Sequence, residues 1–268
     1  MTISQEQIKK ALINSGYLLE DRVNKVLEKN DWQTIPNSRF QDINTRTERE
    51  MDIVALKNIN DLNENIDQIN SALLIECMNN KEPIAYFENL KKQPNRFASL
   101  NYNVFNKNFS NILYWAQQEL NSKLEIIYSS QYCGFQRVQK LIKVCNDGWI
   151  ASHPDRKHDS ETSLFQYIKY HINEFQNHKN TDEFITGCYY RPLIVLQGEL
   201  LSIQQKEELT IIETNRIKFQ IPKTDNNGRY FLIDIITESY LPEYLKLIAI
   251  EDEKIWEITK KHREKLIE

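Results

Sequence analysis

Apolar and polar positions alternate along the first ninety residues in two different periods. Ser4 and Gln7 have the spacing of a capping box, and Ile8, Ala11 and Leu12 then fall on one helical face until Gly16 offers a stop. A second helix is expected from about Tyr17 to Lys29. There Leu19, Val23, Val26 and Leu27 recur at helical spacing, with Glu20 bordering the apolar side. Three strands are expected next, near residues 32–40, at 50–56 and at 72–78. The last two are mostly apolar runs with one acid each, Asp52 and Glu76, as in strands buried on both faces. Between them, the Asn- and Asp-rich residues 57–71 predict an exposed loop or a marginal helix.

Further along, residues 86–92, 111–120 and 163–175 have helical patterning, and 124–128 suits a strand. Residues 192–200 predict a buried strand entering a turn. Further strands are expected at 209–212, 217–221 and 230–237, with Asp225-Asn226-Asn227-Gly228 forming the turn before the last of them. A helix begins near Pro242, which suits a first helical turn, and a charged amphipathic helix ends the chain. There is no internal repeat and no Gly-, Ser- or Pro-rich linker. The pattern therefore predicts a single α/β domain over residues 1–268, a central mixed β-sheet flanked by helices.

Composition narrows the function classes. With 40% hydrophobic and 27% charged residues, the chain has the make-up of a globular protein with a full core. The longest apolar stretch, around residues 193–201, is interrupted by Gln197, Gly198 and Glu199, so no membrane span is expected. The first residues carry neither the basic start nor the apolar run of a signal peptide, and a cytoplasmic protein is the expectation. Cys77, Cys133, Cys145 and Cys188 form no CxxC pair, which argues against a zinc ribbon or a disulfide framework. A net charge of −4 excludes indiscriminate coating of nucleic acid but leaves room for a local basic groove.

The chemistry lies in the two embedded acids, because burying an unpaired carboxylate is costly and needs a reason. By alternation Glu76 shares a face with Leu74 and Met78 while Cys77 points the other way, and Asp52 shares its face with Val54 and Leu56. If the two strands are neighbours, both acids converge on one point. Two convergent oxygen ligands make a seat for a hard divalent cation such as Mg²⁺. The plainer alternative is a pair of strand-end acids salt-bridged to Arg46, Arg49 or Lys57.

The ordered series Glu20, then Arg49-Glu50-Met51-Asp52-Ile53-Val54-Ala55, then Leu74-Ile75-Glu76-Cys77-Met78 resembles the PD-(D/E)XK, restriction-endonuclease-like nuclease superfamily. Trp32, Asn37 and Asp42 before the acids, and Lys81-Glu82-Pro83 after them, are similar to restriction-type members. The motif core covers about residues 17–90. This resemblance implies a restriction-endonuclease-like core acting on DNA phosphodiesters with Mg²⁺ or Mn²⁺. Asp52, Glu76 and the Cys77 carbonyl would ligate the metal, and Glu20 would reach the site through water or assist a second ion. It also implies a role in defence against foreign DNA, where such proteins often serve.

The departure is Met78, which stands where the family has a lysine and offers neither charge nor a donor. Three accounts are open: lost catalysis with the fold kept for binding, a substitute amine (Lys81 first, Lys57 next), or an introduced inactivating change. The alternative function is accordingly a catalytically inactive module of this fold that binds nucleic acid or a partner protein. A subunit active only in an assembly, with a partner protein or a second copy, is a third. Two further groups suit structural or solvated roles better than chemistry. One is the polar turn with His153 and His158; the other is the basic set Lys91, Lys92, Arg96 and Lys107 interleaved with Phe97 and Tyr102.

Overall fold

A computed structural model describes residues 3–59, 68–80, 82–88, 102–105, 128–138, 148–152, 159–177, 186–224 and 230–267. The chain starts as expected. Helix α1 (Gln5–Ser15) is closed by a capping box in which the Ser4 hydroxyl accepts from the Gln7 N–H and the Ser4 N–H donates to Gln7 Oε1. Gly16, at φ 89°, ends it in the left-handed conformation that glycine adopts most readily, and helix α2 (Tyr17–Lys29) starts at once. The two helices differ in burial: α2 buries Leu19, Val23 and Leu27, whereas Ile8, Leu12 and Ile13 of α1 remain exposed.

Strands β1 (Gln33–Gln41), β2 (Glu48–Asn58) and β3 (Gln68–Asn79) form an antiparallel meander. After them come β4 (Ile84–Glu88), β5 (Tyr102–Phe105), β6 (Tyr128–Val138), β7 (Gly148–Ser152) and helix α3 (Asp159–Asn177). The second half contains β8 (Thr186–Gln197), β9 (Leu200–Gln205), β10 (Leu209–Glu213), β11 (Arg216–Thr224) and β12 (Tyr230–Thr237). A 3₁₀ turn (Glu238–Tyr240) then leads into helix α4 (Leu241–Ile267). The described strands form one mixed sheet in the order β1-β2-β3-β8-β12-β11-β6-β4-β9-β10, with β5 on β8 and β7 on β6. Strand β8 runs parallel to β3 from Gln68↔Thr186 to Asn79↔Gln197, and β12 runs parallel to β8.

Strand alternation explains the layers. Leu74 and Val54 face helix α3 and pack with Leu164 and Ile168, while Leu73, Ile75, Ile53 and Ala55 face α2 and α4. Residues on both sides are almost fully buried, and each such Leu or Ile contributes roughly 1.5–3 kcal/mol of burial. Helices thus flank the sheet on both faces, as the apolar runs predict. On the α4 side, Arg191 of β8 is bound to Asp252 at 2.6 Å and to the Ser71 hydroxyl, and Arg216 and Lys218 both hold Asp234. Among the described residues, no helix is long and apolar enough to cross a membrane.

Several expectations change. Residues 84–88 are strand, not the start of a helix over 86–92, because Ile84 to Phe87 pair with both β6 and β9. A run of four apolar residues, Ile84 to Phe87, fits either period, and the tertiary pairing decides. Strands β2 and β3 extend into the expected loop, to Asn58 and from Gln68. The C-terminal region is one helix from Leu241 to Ile267. Residues 111–120, 124–127 and 225–229 lie outside the described residues. So do Lys81, Lys91, Lys92, Arg96, Phe97, Lys107, His153 and His158.

The turn that carries β8 into β9 depends on one glycine. Gly198 sits at φ 137°, and a Cβ there would lie 2.6 Å from the Asn80 carbonyl oxygen. Gly198→Ala is expected to destabilise the fold by about 1–3 kcal/mol, read as a lowered urea midpoint. An unchanged midpoint would mean that this turn relaxes freely.

Candidate functional site

The β2–β3 ladder ends where the two acids sit. The last register pair is Ile53↔Ile75, so the next positions, Asp52 and Glu76, face each other across the strands. On the other edge of β2 the pairing skips a step: Pro36↔Ile53 and Ser38↔Met51 pair, while Asn37 between them stands at φ 52°. The irregularity breaks the alternation predicted through Asp52. Met51 packs in the α3-side layer with Val54, and Ile53 packs in the opposite layer. Asp52 occupies the break. Its Oδ2 accepts the Cys77 N–H at 2.7 Å, so the carboxylate takes up a backbone donor at the end of the ladder. The N–H and C=O of one strand residue point to the same edge, so the Cys77 carbonyl is turned toward β2 as well.

Glu76 is only 9% exposed and is pushed up to about 8, first by burial and then by the Asp52 charge. The Ser163 and Ser160 hydroxyls, from the first turns of α3, reach the carboxyl and pull the other way. Its Oε1 nevertheless stays buried without a hydrogen-bond partner. Asp52 is held above the usual carboxylate range by burial, opposed by the Cys77 N–H and raised again by Glu50. Glu20 enters from α2 and is raised by burial, by Asp52 and by Glu50. The Cys77 thiol, half-buried among these groups, is pushed up by burial and by Asp52, Glu20 and Glu76 in turn. The carboxyls of Glu20, Asp52 and Glu76, from α2, β2 and β3, therefore share one electrostatic environment, to which Glu50 adds its charge.

Their expected partners are elsewhere. Among the described residues, neither Asp52 nor Glu76 forms a salt bridge. Arg49 binds Asp42 at 2.7 Å, and Arg46 lies in the turn that Asp42 organises. Lys57 donates to the Asn30 carbonyl at 3.0 Å and stands over the Trp32 ring. It is five positions, roughly 17 Å, along β2 from Asp52, so it brings no amine to the two acids. Met78 packs half-buried against the α3-side core and brings no charge to the site.

As they stand, the acids are gathered but not closed into a cage. Among the described residues, no group of three or more His, Cys, Asp or Glu is placed to hold a metal ion. The donor set still fits a hard cation: carboxylate oxygens, a backbone carbonyl, and one buried oxygen lacking a partner. Burial first, and then neighbouring carboxylates, raise these carboxyls, and a bound cation would relieve both. The sequence pointed to Glu20, Asp52, Glu76 and Cys77. Ser160, Ser163 and Glu50 were missed as members, because nothing in their local spacing shows that α3 packs its first turns against β3.

The fold and the site define a mixed α/β protein with a cluster of carboxyls at the open end of a strand pair. Comparison with family models, with curated proteins and with solved structures finds no match to this chain.

Proposed function

We propose that the chain is a divalent-metal-dependent nuclease with a restriction-endonuclease-like, PD-(D/E)XK core, hydrolysing DNA phosphodiesters. The observation that carries this is the meeting of Asp52 and Glu76 at the end of the β2–β3 ladder, with Glu20 beside them and one buried carboxylate oxygen unpartnered. The pairing gives further support: a helix bearing Glu20 precedes three antiparallel strands with the acids on the second and third, and β8, which follows helix α3 after β4 to β7, runs parallel to the third. The preference for DNA comes from the sequence resemblance alone, as does a role in defence.

Asp52, Glu76 and the Cys77 carbonyl would hold Mg²⁺ or Mn²⁺. Such an ion supplies Lewis-acid polarisation of a phosphoryl oxygen and makes a coordinated water more acidic. The chain's own groups do the rest. The Cys77 N–H orients Asp52, and Ser160 and Ser163 of α3 stand beside Glu76 and favour its charged form. Glu20 stands within reach to hold a proton on a carboxyl whose pKa is already raised. Met78 leaves the developing phosphate charge without the family's lysine, which favours a slow enzyme or the second reading, a silent module that binds nucleic acid or a partner protein.

Plasmid cleavage distinguishes these outcomes. Supercoiled DNA is incubated with the protein and Mg²⁺, Mn²⁺ or EDTA, beside Met78→Lys. Metal-dependent nicking by the natural sequence is expected, with Met78→Lys faster by about a hundredfold. Cutting by Met78→Lys alone marks a disabled site. The absence of cutting by either protein, together with no metal binding by calorimetry, rules out the nuclease and leaves the silent module.

A further inference from the structure

Among the described residues neither Asp52 nor Glu76 has a salt-bridge partner, and clustered carboxyls make a poor dock for a polyanion, so a nuclease built on them needs positive charge close by. Arg22, among the described residues, is such a group at this end of the sheet. Arg22 lies on the helix that carries Glu20, and by helical spacing the two leave opposite flanks of its buried stripe, Leu19 and Val23. Its guanidinium reaches the C-terminal ends of the parallel strands β3, β8 and β12. There Nε donates to Glu238 Oε1 at 2.6 Å, and Nη2 donates to Glu238 Oε2 at 2.9 Å and to Gln197 Oε1 at 3.3 Å. Cys77 links the two groups electrostatically: the charges of Asp52, Glu20, Glu76 and Glu238 all reach it, and it in turn reaches Arg22.

We propose that Arg22 grips a backbone phosphate of the nucleic acid beside the acid cluster, giving up Glu238 for the phosphate oxygens. This rests on the metallonuclease reading of the site. The planar fork of the guanidinium presents paired donors that match a carboxylate or a phosphate equally well, so Glu238 occupies the place of the anion. The side chain is 41% exposed, and Glu238 is 30% exposed, so the pair is open to competition from solvent-borne anions. Among the described residues, Arg191 is committed to Asp252, and Arg216 and Lys218 to Asp234. Gln197 remains in place to steady the guanidinium after the exchange.

Binding is read separately from cutting. A fluorescein-labelled DNA duplex is titrated by anisotropy with Ca²⁺ across a salt series, in an Asp52→Asn background that blocks cleavage. Arg22→Ala is expected to weaken binding at least tenfold and to lower the slope of log K against log salt by about one. Arg22→Lys keeps the charge and loses the fork, so it falls between the two. Glu238→Gln frees the guanidinium and binds as tightly or more so. A plain staple between α2 and the turn before α4 predicts the contrary. Arg22→Ala and Glu238→Gln then lower the melting temperature alike and neither moves the salt slope, which overturns the proposal. Arg22-dependent binding without metal-dependent cutting by the natural sequence sinks the nuclease and keeps the phosphate grip. Cutting with no dependence on Arg22 does the reverse.

Discussion

Asp52→Asn is expected to abolish metal-dependent cleavage, by a thousandfold or more, while leaving the fold intact or slightly more stable. Both halves follow from the geometry of one carboxylate. Asn is isosteric and keeps an acceptor for the Cys77 N–H, so the end of the β2–β3 ladder can persist. What disappears is a full negative charge and one oxygen ligand, and losses of this kind at a reacting phosphate are on the order of several kcal/mol. The same charge pushes Glu76 and Glu20 above their ordinary range, so its removal relieves both. Cleavage and metal affinity should therefore fall as the thermal midpoint at pH 8 holds or rises. A variant that unfolds early, or one that still cuts at the natural rate, would show that Asp52 serves the fold and not the ion.

Glu76→Gln is expected to flatten the pH dependence of stability of the metal-free protein. The Glu76 carboxyl goes from an ordinary value of 4.5 to about 8 on folding. Between those values the folded chain keeps a proton that the unfolded chain has lost, so stability falls as pH rises through that window. Above pH 8 both states are ionised and the full penalty is present, at most roughly 4–5 kcal/mol. The amide carries no such penalty and still accepts from a serine hydroxyl. Urea unfolding in EDTA should find the two proteins close at pH 5 and the variant more stable by about 3 kcal/mol at pH 8. Mg²⁺ should restore the natural protein at pH 8 and do little for the variant. Parallel curves across this range would mean that Glu76 ionises normally and that the cluster exerts no strain.

How far these groups could be read in advance depends on the kind of contact each makes. The helical stripe of Leu19, Val23 and Leu27 and the apolar runs around Asp52 and Glu76 were legible, because burial on a fixed period is a local property. The neighbouring placement of the acids was legible for the same reason: two adjacent antiparallel strands with short connections pair readily. Strand β4 was read as helix, since its identity comes from β6 and β9, which lie far along the chain. Lys57 looked like a nearby amine by sequence, yet the direction of the strand carries it to the Asn30 carbonyl.

By itself the chain's pattern determined the α/β class, the meander that brings Asp52 toward Glu76, and the uncharged methionine two positions after Glu76. Only the tertiary structure decided that the alternation breaks at Asp52, that the Cys77 N–H meets its carboxylate, and that Ser160 and Ser163 of α3 reach Glu76. It also decided that Arg22 pairs with Glu238 across 216 positions. The physical reason is range. Hydrophobic periodicity records which way each residue faces relative to its neighbours, whereas hydrogen bonds and charge pairs join elements whose approach is fixed by the packing of the whole sheet.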